Sequence, residues 1–382
     1  MSDEFLITKP VAKLVYDGGE RVRIPSEMGT PLPSQMQGSP LEQLCELAGR
    51  ICYDSLGQGR PSFDNFTDAG KLVQGYHTHI HEVRHFSVYR HAWFHLAISG
   101  MALSDLNTLS NRPGVRVLKI EKPMGGEMQA QLSLNLEAVF RWPSISERRN
   151  GVGTRFGTCG NGWLRGPLSR VAPNLVRFLQ EGDVEFSPAL VDANSFEDRW
   201  VSMYLSGSRG FSHEMVRHSY QCAPSQRSTR YCDEHESAWV HHPLVQQFLA
   251  DESVSSEEQL DLMRTIDEAV VRAREAYKAT NDVIYRYLEK RGYDKASCRK
   301  QARGAARGYL GNALETAMIF SASVNQWKEI LDQRGGAAAD AEIRCLAVEA
   351  LKQLKLSRYV GAFEGYAISE VKGLPCVVKE PT

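Results

Sequence analysis

The sequence lacks any long apolar run and has almost no net charge. No stretch of eighteen apolar residues occurs, and the N-terminus MSDEFLITKP has neither the basic start nor the apolar stretch of a secretory signal. The 45 Lys and Arg are balanced by 46 Asp and Glu, for a formal net charge of -1. No overall electrostatic field therefore attracts nucleic acid or an anionic membrane. We expect a cytoplasmic protein without either partner, in which any anion site is local.

Several catalytic and metal-binding motifs are also missing. The eight cysteines include no CxxC pair, and a chain this long needs no disulfides, so we expect reduced, mostly buried thiols with Cys222 and Cys232 nearest to a site. There is no GxSxG, and the glycine run NGVGTRFGTCGNG is not followed by Lys-Ser or Lys-Thr. The sequence therefore disfavours both the nucleophile elbow of a serine hydrolase and a phosphate-binding P-loop. We interpret the glycine run as an ordinary loop.

Histidines are concentrated in one short part of the chain. Six of the eleven lie between His77 and His95. His77, His79 and His81 would share one face of a strand, while the pairs 81/85 and 91/95 have the spacing of ligands on a helix. No HExxH occurs and no nearby Cys or Asp completes a tetrahedral set, so the sequence predicts no metal site.

Hydrophobic periodicity predicts long helices with strands between them. Apolar residues at three- and four-residue spacing predict a helix in PLEQLCELAGRICYDSL, and a capping box from Ser255 to Glu258 starts another that ends at Gly292. Two more helices are expected at about 297–320 and 338–356, and strands in AWFHLAISG and RWVSMYLSG. The chain is therefore predicted to be α+β, with helices packed on a mixed or antiparallel sheet.

Arginines are the sharpest chemical signal. Arg217 and Arg230 flank the stretch VRHSYQCAPSQRSTRY, Arg303 and Arg307 lie one helical turn apart, and Arg334 ends WKEILDQR. Guanidinium groups form bidentate hydrogen bonds with phosphate and carboxylate and stay charged at physiological pH. Each of these arginines, taken alone, is more often an ordinary surface or ion-paired residue than part of an anion site. Composition does not decide between these two interpretations.

Four blocks, in order, resemble the flavin-dependent thymidylate synthases. They are LEQLCELAGRICYDSL, HFSVYRHAWFHLAISG, Arg217-His218 followed by SQRSTRY, and AARGYLGNALETAMIFSASVNQWKEILDQRGGAAADAEIRCLA. The resemblance implies that family's fold, with residues 41–104 and 196–360 as two parts of one domain. Residues 105–195, rich in turn signals, are then an insertion, residues 1–40 an extended lead-in and residues 361–382 a tail.

The resemblance implies a pocket for a pyrimidine nucleoside monophosphate. The positions that match substrate-binding residues are Glu214, Arg217, Gln226, Ser228, Arg230 and Arg307. Arg334 matches the arginine beside uracil N3 and O2, where a fixed guanidinium stabilises the anion that makes C5 nucleophilic. Ser228 is tempting as a covalent nucleophile, but no base is evident beside it, and a hydroxyl that donates to phosphate is the better interpretation.

On the cofactor side the resemblance is less complete. The matching positions are His85, Ser87, His91, His218, Ser219, Ser323, Asn325 and Glu329. Ser219 replaces an Arg of the family pattern, Arg90 replaces a Glu, and Glu214 replaces a Gln on the substrate side; the stretch around Pro224 is one residue longer. We interpret these changes as marks of altered use of FAD or of the folate carbon donor.

The resemblance implies methyl transfer to C5 of dUMP, with FAD, methylenetetrahydrofolate and NADPH, in a homotetramer whose sites are built across subunits. A close alternative leaves a hydroxymethyl group on C5 with little or no use of flavin. A third possibility is a non-catalytic nucleotide-binding relative. Arginines that can form bidentate hydrogen bonds do not by themselves distinguish these three alternatives.

Overall fold

The structure, a computed structural model, describes residues 7–28, 38–53, 72–100, 102–122, 124, 127–141, 161–180, 188–191 and 198–380. The glycine run at residues 150–162 lies mostly outside this part, as does Cys159. The strands are β1 (Ile7–Thr8), β2 (Val11–Tyr16), β3 (Trp93–Ser99), β4 (Val115–Glu121), β5 (Gln129–Asn135), β6 (Ala189–Leu190), β7 (Trp200–Ser208), β8 (Cys222–Gln226), β9 (Trp239–Val240), β10 (Glu315–Ser323), β11 (Tyr366–Val371) and β12 (Leu374–Lys379).

Eleven α-helices occur in the described ranges. They are α1 (Pro40–Cys52), α2 (Leu72–Glu82), α3 (Leu103–Ser110), α4 (Leu136–Phe140), α5 (Arg165–Val171), α6 (Arg209–Met215), α7 (Pro243–Ala250), α8 (Ser256–Lys290), α9 (Lys295–Ala306), α10 (Val324–Arg334) and α11 (Ala341–Lys355). Short 3-10 turns connect several of them, including Phe86–His91 before β3 and Arg307–Tyr309 after α9.

A central antiparallel sheet carries strands in the order β2-β7-β10-β8. β10 lies between β7 and β8, with Met318 opposite Gln226 and Ala322 opposite Cys222. β7 is buried along its whole length, because apolar side chains cover both faces of the sheet. One face packs against α6, α10 and α11 through residues such as Phe211 and Trp327.

The other face of the central sheet packs against α1. Leu44, Leu47 and Ile51 of α1 meet Tyr204 and Ile319 of the sheet in one buried cluster. The opposite side of α1 contributes to a second core under a second antiparallel sheet, whose strand order is β4-β5-β3-β6. α1 is therefore enclosed between two sheets, whereas its apolar periodicity predicts only one buried face.

The predicted α+β class is confirmed, and most long elements fall where the sequence indicates. α1 has a capping box from Ser39 to Glu42, and α8 has the predicted box from Ser255 to Glu258. The strands in AWFHLAISG and RWVSMYLSG are present as β3 and β7. The predicted helix at 338–356 is α11.

One secondary-structure prediction is wrong. The helix expected at about 297–320 stops at Ala306, and residues 315–323 form β10, because pairing with β7 and β8 overrides the helical interpretation of a short apolar run. His77, His79 and His81 lie on helix α2, so they do not share one face as they would on a strand. Among the described residues no group of three or more His, Cys, Asp or Glu could hold a metal ion.

The cysteines and the hydropathy of the helices complete the picture. The seven cysteines in the described ranges are free thiols, and Cys45, Cys232, Cys298 and Cys376 are buried. Across those same ranges, no helix combines the length and the apolar character that crossing a bilayer requires.

Candidate functional site

The predicted site residues gather in two clusters on opposite faces of the central sheet. Strand β8 separates them, because successive side chains of a strand point to opposite faces. Gln226 donates from Nε2 to Ser212 Oγ on α6 at 2.9 Å, whereas Ser225 Oγ lies 2.9 Å from His91 Nε2 on the α1 side. The residues before and after β8 are thereby directed to different sides of the sheet.

The first group, called here the Arg334 cluster, consists of Arg334, Glu214 and His218. Arg334 Nη1 donates to Glu214 Oε2 at 2.7 Å, and Arg334 Nε donates to His218 Nε2 at 3.1 Å. The guanidinium side chain remains 23% exposed. These two bonds use two of the five N–H groups of a guanidinium, so the rest of the fork can serve a planar ligand.

The protonation state of His218 follows from its contacts. Burial lowers the pKa of His218, and the positive charge of Arg334 lowers it further, while Glu329 acts in the opposite direction. Because Nε2 accepts the hydrogen bond from Arg334, the ring is neutral with its proton on Nδ1. His218 therefore holds the guanidinium in place without adding a second positive charge.

A strained loop, residues 217–221, leads from the Arg334 cluster into β8. Gln221 has a φ of 50°, in the left-handed region that non-glycine residues seldom adopt. Its side-chain amide donates to Ser323 Oγ at 2.6 Å and accepts from Arg116 Nη2 at 2.9 Å, in the orientation that satisfies both partners. Arg116, on β4, also pairs with Asp198 at 3.2 Å. Side-chain contacts from β4 thus hold this turn.

The second group, called here the Tyr231 cluster, consists of Tyr53, His85 and Tyr231. The rings of Tyr53 and Tyr231 lie 4.8 Å apart, and Tyr53 Oη lies 3.4 Å from His85 Nδ1. Tyr231 is 38% exposed, and burial lowers the pKa of His85, which keeps its ring neutral. Half-buried aromatic edges of this kind suit a flat ring as a ligand.

Cations surround the Tyr231 cluster. The guanidinium of Arg230 lies 5.9 Å from the centre of the Tyr231 ring, and Lys300 Nζ lies 5.4 Å from it. Ser228 begins the turn that carries these residues, since its carbonyl accepts from Tyr231 and Cys232. Arg307 is exposed at the end of α9. The candidate substrate residues Ser228, Arg230 and Arg307 are therefore on the side of α1 and α9.

Arg217 does not join them. It is exposed in the 217–221 loop, before β8, whereas Ser228 and Arg230 follow β8 and Ser228 N donates to Cys52 O at the end of α1. In one chain, the predicted anion grip by Arg217, Ser228 and Arg230 together is not formed.

A buried polar network lies between the two clusters. His91 Nδ1 is 2.8 Å from Ser321 Oγ, its Nε2 is 2.9 Å from Ser225 Oγ, and Ser202 Oγ is 2.6 Å from Ser321 Oγ. Burial lowers the pKa of His91 to about 3, so the ring is neutral. With both ring nitrogens occupied by hydroxyls inside the protein, His91 is a poor candidate for the predicted contact with a cofactor.

The other predicted cofactor residues lie nearer the surface. Ser87 is half-buried in the 3-10 turn after His85, while Ser219, Asn325 and Glu329 are exposed beside the 217–221 loop or on α10. Ser323 caps α10, because its Oγ accepts from Gln326 N at 3.2 Å. Its hydroxyl is thus already engaged with the helix and with Gln221.

Arg90, which replaces a Glu of the family pattern, has a carboxylate partner from the middle of the chain. Its guanidinium forms two hydrogen bonds with Glu137 on α4, through Nε and through Nη2. Glu137 Oε1 also pairs with Arg141 Nε at 2.7 Å. The charge introduced at position 90 is therefore balanced within the protein.

Sequence reasoning missed Tyr53, Arg116 and Glu137. Tyr53 lies inside the first matching block, next to the end of the predicted helix. The sequence did not show that its ring packs against Tyr231. Arg116 and Glu137 lie in the segment interpreted as an insertion, where no motif pointed to chemistry. Their contacts depend on the pairing of β3 with β5, which has no signature in one sequence.

A cavity of about 590 Å³ lies beside the Arg334 cluster. Of the predicted site residues only Glu214 lines it, together with apolar side chains of α8 such as Ile266 and Val270. Asp267, Asp340 and Glu342 also face this cavity. Its acidic wall repels phosphate, so the exposed cations, and not this apolar cavity, mark the candidate anion site.

Comparison with known proteins shows what one part of this chain is similar to. Residues 193–357 match the family model described as thymidylate synthase complementing protein. The resemblance to the flavin-dependent thymidylate synthases is thereby confirmed for this part of the chain, which carries both β8 and the residues of the Arg334 cluster.

Individual relatives match a stretch of similar length. The flavin-dependent thymidylate synthases of Mycolicibacterium vanbaalenii and of Mycobacterium marinum are each 36% identical over 172 residues, which is 43% of this chain and 62% of each relative. The chain thus spans less than two thirds of the relatives it matches. A crystal structure of thymidylate synthase X from Helicobacter pylori with FAD and dUMP is 18% identical, with a TM-score of 0.29 over 44% of this chain and 73% of that one. A likeness of that degree carries no argument about fold.

Proposed function

We propose that this protein is a one-carbon transferase that acts on C5 of a uridine monophosphate, as a thymidylate synthase of the flavin-dependent type. The observation that carries the proposal is the Arg334 cluster, in which Glu214 and His218 orient a partly exposed guanidinium. The match of residues 193–357 to the family supports it independently.

The chemistry requires charge stabilisation at the uracil ring. C5 of uracil becomes nucleophilic as negative charge builds on the ring, and an oriented guanidinium beside N3 and O2 stabilises that charge. Arg334 keeps N–H groups for this purpose after its bonds to Glu214 and His218. Neutral His218 accepts a hydrogen bond that holds the guanidinium in place. The guanidinium keeps its full charge because this group stays protonated at physiological pH.

The nucleotide's phosphate is assigned to Ser228, Arg230 and Arg307. The two exposed guanidinium groups supply charge-assisted hydrogen bonds, and a phosphate anchored there orients the ring away from the point of attachment. Ser228 lies on the α1 side of the sheet, opposite Arg334. We therefore propose that a complete site takes one cluster from each of two chains in a homo-oligomer such as a homotetramer.

Residues beside the clusters fit FAD. Tyr53 and His85 offer two half-buried rings set edge to face, either of which can contact its ring system. The N-terminus of α10, with exposed Asn325, and the exposed side chains of Arg217 and Ser219 can hold its diphosphate. FAD, when bound, would supply the hydride that completes the methyl group, with methylenetetrahydrofolate as carbon donor and NADPH as reductant.

A second candidate is transfer of the carbon without flavin reduction, which leaves a hydroxymethyl group on C5. The observation that favours it is the pairing of Arg90 with Glu137, which leaves neither charge available at a predicted cofactor-side turn. The remaining alternative is a protein that binds the nucleotide without turnover. It differs from both catalytic candidates only in forming no product.

Mass spectrometry of the product tests the proposal. The protein is incubated with dUMP or UMP and methylenetetrahydrofolate, with and without FAD and NADPH. Methylated nucleotide formed only with FAD supports the first candidate, and hydroxymethylated nucleotide formed without FAD supports the second. The absence of any C5 product, together with no tritium release from C5-labelled dUMP, contradicts both.

A further inference from the structure

A row of positive charges runs along one face of α9. Lys295, Arg299, Arg303 and Arg307 recur every four residues, so they follow one face of the helix over about 18 Å. We call these four residues, with Lys300 beside them, the α9 stripe. Between residues 286 and 307 there are eight Lys and Arg against Glu289 and Asp294, in a chain whose net charge is -1. The stripe is a local concentration of charge.

The stripe is continuous with the Tyr231 cluster. Arg303 Nη1 donates to the Tyr231 carbonyl, and Lys300 Nζ lies over the ring of the same residue. Arg230 lies next to Gly304 of α9, because a Cβ built at this glycine would be 3.8 Å from Arg230 Cδ. A ligand whose ring rests at Tyr231 can therefore extend along α9 without leaving the protein surface.

Much of the stripe's charge is uncompensated. Arg303 pairs with Asp233 at 3.3 Å, whereas Lys295 and Arg299 are exposed and have no ion-pair partner in the part of the chain that the structure describes. Asp294 is occupied at the start of α9, where its carboxylate accepts from Ser297 N and Ser297 Oγ. The end of the stripe far from the nucleotide residues is thus open to an anion.

We propose that the α9 stripe binds the oligo-γ-glutamate tail of the folate co-substrate; this inference rests on the proposed function. Successive cations on the stripe are about 6 Å apart along the helix axis. An α-peptide repeat is about 3.5 Å, and a γ-linked glutamate repeat has two more bonds, so its carboxylates recur at a similar distance. The ring of the co-substrate then lies at Tyr231, beside the surface that Tyr53 and His85 offer to FAD, and its tail follows Arg303, Arg299 and Lys295.

A single row of cations suits such a tail better than it suits nucleic acid. Nucleic acid in single strands calls for a groove with several aromatic platforms, and duplex contacts need charge on a broader surface. Lys295 and Arg299 lie on one ridge of one helix. A flexible chain with one carboxylate per repeat can follow that ridge.

Isothermal titration calorimetry tests the proposal. Tetrahydrofolate with one γ-glutamate and with five is titrated into the full-length protein saturated with FAD and dUMP. We expect about tenfold tighter binding of the longer tail at low salt, and loss of most of that advantage in 0.5 M NaCl, because exposed charges are screened. In Lys295→Gln/Arg299→Gln the advantage should fall about fivefold, while the affinity for the short form stays the same.

Lys278→Gln/Lys122→Gln is the matched control, because it removes the same charge from exposed positions outside the stripe. It should keep the wild-type preference. Equal affinity of the wild type for both forms, or an unchanged preference in Lys295→Gln/Arg299→Gln, overturns the tail site and leaves the proposed function intact. If neither form binds, the proposed function fails and the tail site fails with it. A single-stranded oligonucleotide that binds the stripe more tightly than the five-glutamate form would assign it to nucleic acid instead.

Discussion

Arg334 is held by two different partners, a carboxylate and a neutral imidazole. The imidazole fixes the direction of the guanidinium plane, and the carboxylate fixes one of its edges. Lys cannot reproduce both bonds, because its ammonium is a point charge and lacks the planar fork.

We therefore expect Arg334→Lys to lose most of the activity, although it keeps the charge. Arg334→Ala should lower kcat by about two to three orders of magnitude, as for loss of one preorganised donor at a developing anion. The measurement is kcat from tritium release from C5-labelled dUMP, with nucleotide binding followed separately by calorimetry. Full turnover by Arg334→Ala would refute the role given to this residue.

His81 offers a test of how burial affects stability at low pH. Its ring is stacked on Phe178 at 3.7 Å, and burial and Arg177 lower its pKa to about 4. In the unfolded chain a histidine titrates near pH 6.5, so between about pH 6.5 and 4 the unfolded state binds the proton and stability falls as the pH falls.

His81→Phe should therefore have a shallower pH dependence than the wild type. We expect the difference in the free energy of unfolding between pH 7 and pH 5 to shrink by about 1 kcal/mol, with allowance for the partial exposure of the ring. Urea unfolding at the two pH values measures it. The exposed His79 provides the control as His79→Phe, for which the same pH dependence as the wild type is expected.

At the scale of elements, α4 contributes to the turn that carries three predicted cofactor residues. Glu137 binds Arg90, and Arg90 shares a 3-10 turn with Ser87 and His91. The nearly buried carboxylate of Glu137 pairs with the guanidinium groups of Arg90 and Arg141. Loss of its negative charge therefore weakens both ion pairs.

Glu137→Gln should lower the free energy of unfolding by about 1–2 kcal/mol, through weaker hydrogen bonds to charged groups. If the turn holds FAD, the dissociation constant for FAD should rise severalfold as well. Urea unfolding and flavin fluorescence measure the two effects. Glu121→Gln, at an exposed carboxylate on β4, is the control and should change neither. An unchanged affinity of Glu137→Gln for FAD would show that this turn does not contribute to FAD binding.

Elements with local signals were predictable, and those fixed by distant pairing were not. The capping boxes of α1 and α8 each need only four residues of sequence, and both were visible. β10 has an apolar run that suits a helix or a strand, and its strand state comes from pairing with residues about a hundred positions away in β7 and β8. The left-handed turn at Gln221 depends likewise on Ser323 and Arg116.

At the scale of the whole molecule, the site residues could be named from the sequence but not placed relative to one another. Motif matching put Arg217 and Arg230 together, since only twelve residues separate them. The structure separates them because β8 lies between the two and its neighbours cover opposite faces of the sheet. A sequence motif does not reveal that the residues before and after a strand lie on opposite faces of the sheet.

Mixing of two inactive variants tests whether the site is shared between chains. Arg334→Ala and Arg230→Ala remove one residue from each cluster, and each alone should be nearly inactive. If every site takes one cluster from each of two chains, random mixed oligomers should recover about a quarter of the wild-type sites. Activity after co-refolding measures the recovery, and a site within one chain would give none above the sum of the separate variants.

The five residues of β8 have a further consequence. Ser225 is held by His91 on one side of the sheet, and Gln226 by Ser212 on the other. A shift of β8 by one position against β10 would exchange these two neighbours and present every following side chain, including Ser228 and Arg230, to the wrong side. The buried histidine thus favours the native alignment of β8, since this alignment gives it a hydroxyl at both ring nitrogens.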